Sequence, residues 1–75
     1  MKLTPDEIEE GAQRLFEANK NPADKGWNEA PGNIKSAYRQ IVTGLAGTLD
    51  VPHSRTAVAV FHKWLGDGAK TQTRG

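Results

Sequence analysis

The sequence predicts an all-α fold: a compact three-helix domain over about residues 4–19, 33–49 and 54–66, with a mobile C-terminal tail. Apolar residues recur at helical spacing in three separate stretches, each bounded by residues that cap or break helices. No segment alternates apolar and polar residues as a half-buried strand does, and no heptad run is long enough for a coiled coil. A chain of 75 residues supports one hydrophobic core, so residues 1–66 read as a single domain and 67–75 as a flexible basic tail.

The first helix opens at Thr4-Pro5-Asp6-Glu7. A cap hydroxyl, a proline at the first helical position and a glutamate three residues after the cap make a capping box, in which two side chains satisfy otherwise orphan amides. Asp6, Glu7, Glu9 and Glu10 place negative charge where the helix dipole favours it. Ile8, Ala12, Leu15 and Phe16 then form one apolar stripe. Gly11, beside that stripe, costs about 0.8–1.0 kcal/mol relative to alanine, and close approach of another helix would explain it. The helix ends near Asn19, before Asn21-Pro22.

Residues 20–32 read as loop, rich in Asn, Pro, Asp and Gly. Trp27 is the one large apolar residue there. Such an indole either folds back over the gap between flanking helices or stands out as a binding anchor, and a small core's need for large side chains favours folding back.

The second helix carries Ile34, Ala37, Tyr38, Ile41, Val42, Leu45 and Leu49 on one face, with Lys35, Ser36, Arg39, Gln40 and Thr43 opposite. Its length of about 25 Å suits the spine of the domain. Gly44 and Gly47 either loosen its last turns or open a surface for a close neighbour. Asp50-Val51-Pro52-His53-Ser54 breaks the pattern and offers Asp50 or Ser54 as the next cap. The third helix presents Ala57, Val58, Phe61, Trp64 and Leu65 as its apolar face, ends at Gly66, and turns Arg55, Ala59, His62 and Lys63 outward. Val60 and Ala59 widen its apolar arc. That width fits a central, well-buried helix, the favoured reading, or an oligomer seam in which Val60 and Trp64 reach a partner.

Arg14-Leu15-Phe16, Trp27, Ala30-Pro31 and Tyr38-Arg39 together resemble the helix–loop–helix of many small uncharacterised phage and prophage proteins, over roughly residues 8–49. The tryptophan–proline–tyrosine arrangement is also similar to the second half of HMG boxes, whose basic flanks this chain lacks. The phage resemblance implies an accessory protein of a phage or mobile element, working in the host bacterial cytoplasm. It transfers no functional residue, because those proteins share no assigned activity.

Composition excludes several function classes. Without cysteine there are no disulfides, thiol chemistry or cysteine-based zinc sites. Met1-Lys2-Leu3-Thr4-Pro5 leads straight into acidic residues, with no signal-type apolar segment and no membrane span, so a cytoplasmic location is expected. His53 and His62 lie nine positions apart, which does not put them one turn apart on a helix, and His62 reads instead as the edge of the third helix's apolar face. Ser54 adjoins His53, but no glycine-rich turn presents it as a nucleophile. No phosphate-binding or dinucleotide motif occurs. The expectation is a protein without cofactor, metal, small-molecule substrate or enzymatic activity.

Charge is uneven although Lys+Arg 10 and Asp+Glu 9 nearly balance. Arg55, Lys63, Lys70 and Arg74 face Asp67 alone after residue 50, so the last third is basic. The segment from Leu45 to Val58 resembles a helix-turn-helix. It departs from that motif at Asp50, where the turn usually has glycine, and in a turn about two residues too long. In this alternative His53, Ser54, Arg55 and Thr56 face the major groove while Lys63, Lys70 and Arg74 meet phosphates. The primary reading is a non-enzymatic binding module acting by protein–protein interaction, with a host or phage protein or with itself, through Val60 and Trp64.

Overall fold

The computed structural model describes residues 1–67 and contains three α-helices: α1 (Pro5–Asn19), α2 (Gly32–Thr48) and α3 (Arg55–Gly66). A single 3₁₀ turn, Trp27–Glu29, interrupts the loop between α1 and α2, and no strand occurs among the described residues. The predicted all-α, three-helix class is therefore the observed one, with helix ends within a residue of those expected. Asp67 belongs to the end of α3 rather than to a tail: its amide donates to the Lys63 carbonyl at 2.8 Å. The remainder of the predicted tail, including Lys70 and Arg74, lies outside the described residues.

The start signals act as the sequence specifies. Thr4 Oγ1 accepts from the Glu7 amide at 3.3 Å, and Glu7 Oε1 accepts from the Thr4 amide at 2.8 Å, closing the capping box. Ser54, rather than Asp50, caps α3, its hydroxyl accepting from the Ala57 amide at 3.0 Å. No side chain caps α2, which starts directly after Pro31. At its other end the Met1 amino group donates to the carbonyls of Ala46 and Leu49. A positive charge there complements the negative end of the helix dipole, and no basic residue of α2's own last turn does so.

The packing order differs from the expectation. The spine is α1, not α2: it packs on both other helices, while α2 and α3 touch one another little. Gly11 explains how a short, acidic helix can be central. It is buried, and a Cβ at that position would lie 3.0 Å from Val42 Cγ1, 3.2 Å from Leu65 Cδ1 and 3.4 Å from the His62 ring. The missing side chain lets α2 and α3 both close on α1 at the same level. Ala12, Val42, Ala46 and Leu65 are almost wholly inaccessible around that contact. Leu3, Leu15, Trp27, Val58 and Phe61 complete the core.

Because α2 and α3 each have one main neighbour, each buries less of its apolar arc than the spacing predicts. Ala37 and Ile41 of α2, and Leu49 just past its end, are exposed, although their register places them on the apolar face. In α3, Val60 is 62% and Trp64 43% exposed, which overturns the reading of this helix as the buried centre. Gly44 and Gly47 face open space, so they serve no close packing.

The loop returns to α1 through Trp27, which is 4% exposed and not a protruding anchor. Its amide donates to Glu17 Oε2 and its indole N–H to Glu9 Oε2, both at 2.9 Å. Phe16 meets the indole edge-to-face at 5.6 Å and Tyr38 at 5.5 Å, while Lys35 and Arg39 lie over the indole at 5.7 and 6.0 Å. One side chain thus joins α1, the loop and α2.

Candidate functional site

The separation of α2 from α3 leaves an open groove on the side away from α1's charged face. Its walls are Leu45 and Thr48 of α2, Leu49 and Val51 of the connecting turn, and Ala57, Val60, Phe61 and Trp64 of α3, with Met1 at one end. The groove encloses about 480 Å³. None of these side chains is charged. Among the described residues the charge at this groove is the Met1 amino group, which donates to the Ala46 and Leu49 carbonyls.

Local sequence accounts for this surface. Val60 and Trp64 are one turn apart, so they form a single ridge along α3. The Trp64 ring stacks on Phe61 with centroids 6.1 Å apart and planes 28° apart, which holds the indole against its own helix. The core side of α3 is taken by Val58, Phe61, His62 and Leu65, leaving the ridge no room inside. Leu49 and Val51, 39% and 46% exposed, line the facing wall where the chain turns out of α2. An exposed aromatic and three exposed aliphatic residues around one concavity are the composition of a protein contact site.

Comparison with protein-family models, curated proteins and solved structures finds no match to this chain. The site must therefore be judged on its own chemistry.

The residues expected to face DNA are placed differently from one another. Ser54 is committed to its cap, and His53 Nε2 lies 2.9 Å from Glu7 Oε1. Arg55 and Thr56 are exposed. Lys63 donates to Asp67 Oδ2 at 2.7 Å, and that carboxylate holds the lysine more firmly in its charged form. Around Arg55 and Lys63 the surface interleaves Glu7, Glu10 and Asp67 with Arg14, itself bound to Glu10 at 2.9 Å. Setting aside Lys70 and Arg74, the eight remaining basic residues stand against nine acidic ones. The described part of α3 therefore adjoins mixed charge rather than a basic stripe.

Of the two placements expected for His62, the edge of the apolar face is the nearer to what is observed. His62 is buried, at 6% exposure, rather than turned outward, and its Nε2–H donates to the Glu7 carbonyl at 2.9 Å. Its Nδ1 lies 3.8 Å from Glu10 Oε2. Both histidines of the chain thus meet Glu7, one at the side chain and one at the backbone, fastening α3 and its leading turn to the start of α1. The Glu7 carboxyl is held below its usual range, chiefly by the Thr4 amide and then by His53. Among the described residues no three His, Asp or Glu side chains are grouped to hold a metal, and no helix is long and apolar enough to cross a membrane.

Sequence reasoning picked out Val60 and Trp64 from the width of the α3 arc. It missed Leu49 and Val51 as part of the same surface, because helical register assigns Leu49 to the core and gives no partner to a residue in a turn. Met1 carried no signal at all.

Proposed function

We propose that this chain is a non-enzymatic protein-binding module whose partner docks in the groove between α2 and α3, with Val60 and Trp64 as its anchors. The supporting observation is the exposure of a tryptophan and a valine, one turn apart, on the rim of an uncharged apolar concavity. In a small domain short of large core residues, leaving an indole 43% exposed forgoes stabilisation of about 1 kcal/mol or more. A contact that buries it in a complex recovers that stabilisation at the interface. Tryptophan is also the residue type most enriched among interface positions that dominate binding energy. The resemblance to small phage and prophage proteins makes an accessory protein of a phage or mobile element the setting we propose for this activity.

The test is capture from a lysate of the cells that make the protein, with immobilised wild type, Trp64→Ser and Arg55→Ala. The expected result is a protein retained by wild type and Arg55→Ala and depleted at least tenfold with Trp64→Ser. Equal retention by wild type and Trp64→Ser overturns the proposal. So does recovery of duplex DNA that is lost in Arg55→Ala and falls steeply with salt, which is the signature of α3 acting on phosphates.

A further inference from the structure

The chemistry that would fill the groove is narrow. An uncharged cleft between two helices accepts a helix that presents apolar anchors at i and i+4 and brings no charge with them. The chain itself carries such an element on the rim of the cleft: Val60 and Trp64 on α3, with Phe61 packed behind the indole. Ridge and groove are adjacent parts of one face, the arrangement that a two-fold, isologous contact uses, since each copy must offer both halves.

Charge points the same way. In an isologous contact a patch meets its own image, so any net charge on the patch repels itself. The other described faces carry ionised side chains in opposite-sign pairs, which a self-contact would have to strip of water. Glu10, Arg14, Lys63 and Asp67 crowd the α1–α3 side, and Glu9 and Arg39 the α1–α2 side. Among the described residues none of the side chains lining the groove beside Val60 and Trp64 is charged, and the Met1 amino group at its end is offset by the carbonyl end of α2. A chain of 75 residues without cysteine also gains more than a larger one from a second copy, because its own core holds few large side chains.

We infer that the occupant of the groove is a second copy of this chain, docked about a two-fold axis so that each α3 ridge enters the other copy's groove. The inference rests on the groove being a protein-binding site and adds the identity of what fills it. Val60, Trp64, Leu49 and Val51 are the residues it buries.

Sedimentation equilibrium of the full chain, from low micromolar to submillimolar concentration, tests it directly. Wild type is expected to reach twice the 8.2 kDa chain mass. Val60→Asp and Trp64→Ser, with unchanged helical circular dichroism, are expected to dimerise at least about 30-fold more weakly, as loss of a central anchor requires. Lys25→Asp, in the α1–α2 loop, is expected to match wild type. Dilution of wild-type protein should shift backbone amide resonances around Leu49, Val51, Val60 and Trp64 first, a readout independent of any variant. A wild type that stays monomeric throughout overturns the second copy as occupant. If Trp64-dependent capture from lysate persists in that case, the protein-binding reading stands with another partner; if it is also lost, both fail. A wild-type dimer undisturbed by Val60→Asp and Trp64→Ser overturns the assignment of this face.

Discussion

Gly11 and Gly44 are chemically identical and sit in helices, yet opposite outcomes are expected from replacing them with alanine. At Gly44 nothing lies within 4 Å, so the alanine is expected to stabilise by about 0.8–1.0 kcal/mol through helix propensity alone. At Gly11 the same propensity gain meets Val42 at 3.0 Å and Leu65 at 3.2 Å, both wholly inaccessible and without room to retreat. Overpacking of this kind costs about 1–3 kcal/mol, so Gly11→Ala is expected to destabilise by about 1 kcal/mol net. Urea denaturation of the two variants checks the pair; a stabilised Gly11→Ala would show that the three helices do not close on that point. The sequence marked Gly11 correctly as a close-approach site because it adjoins an apolar stripe, whereas Gly44 and Gly47 stayed ambiguous. Their helix has an apolar face too, and only the neighbour's position tells whether that face is covered.

At the level of the helix, the N-terminus of α1 gathers the most interactions. Glu7 completes the capping box, pairs with His53 and accepts from His62 through its backbone, while Glu9 binds Arg39 at 2.6 Å and the Trp27 indole at 2.9 Å. Both carboxyls are held below the usual glutamate range, Glu7 chiefly by the Thr4 amide and Glu9 chiefly by Arg39. A carboxyl whose folded pKa is depressed contributes stability that is complete above its unfolded pKa, about 4.3, and is lost as pH falls through the folded value. Thermal midpoints are therefore expected to fall as pH drops below about 4.3, and the Glu9→Gln variant should show a shallower decline there than wild type. Identical pH profiles for the two proteins would remove Glu9 as a contributor. The acidic first turn and the capping box were legible from four consecutive residues. The pairings with His53, Trp27 and Arg39 were not, since they join positions 46, 18 and 30 residues apart.

For the whole molecule, the decisive feature is which helix lies in the middle. With α1 covered on two sides by α2 and α3, its central amides from Gly11 to Leu15 are expected to exchange with solvent hydrogen most slowly, ahead of any in α2. Native-state exchange with slowest protection in α2 instead would restore the longest helix as the spine. The sequence by itself determined three helices and their approximate ends, the capping box of α1 and the candidate ridge of Val60 and Trp64, because each depends on spacing within a few turns of chain. The fold-back of Trp27 and the choice of Ser54 over Asp50 as a cap needed the tertiary structure. Only the tertiary structure decided that α1 is central, that His62 is buried, and that Leu49 and Val51 face Val60 and Trp64 across an open groove. A helix's own periodicity shows which of its faces is apolar. Whether that face meets one neighbour or two depends on contacts between residues distant in the chain, and here α2 and α3 have only α1 to share.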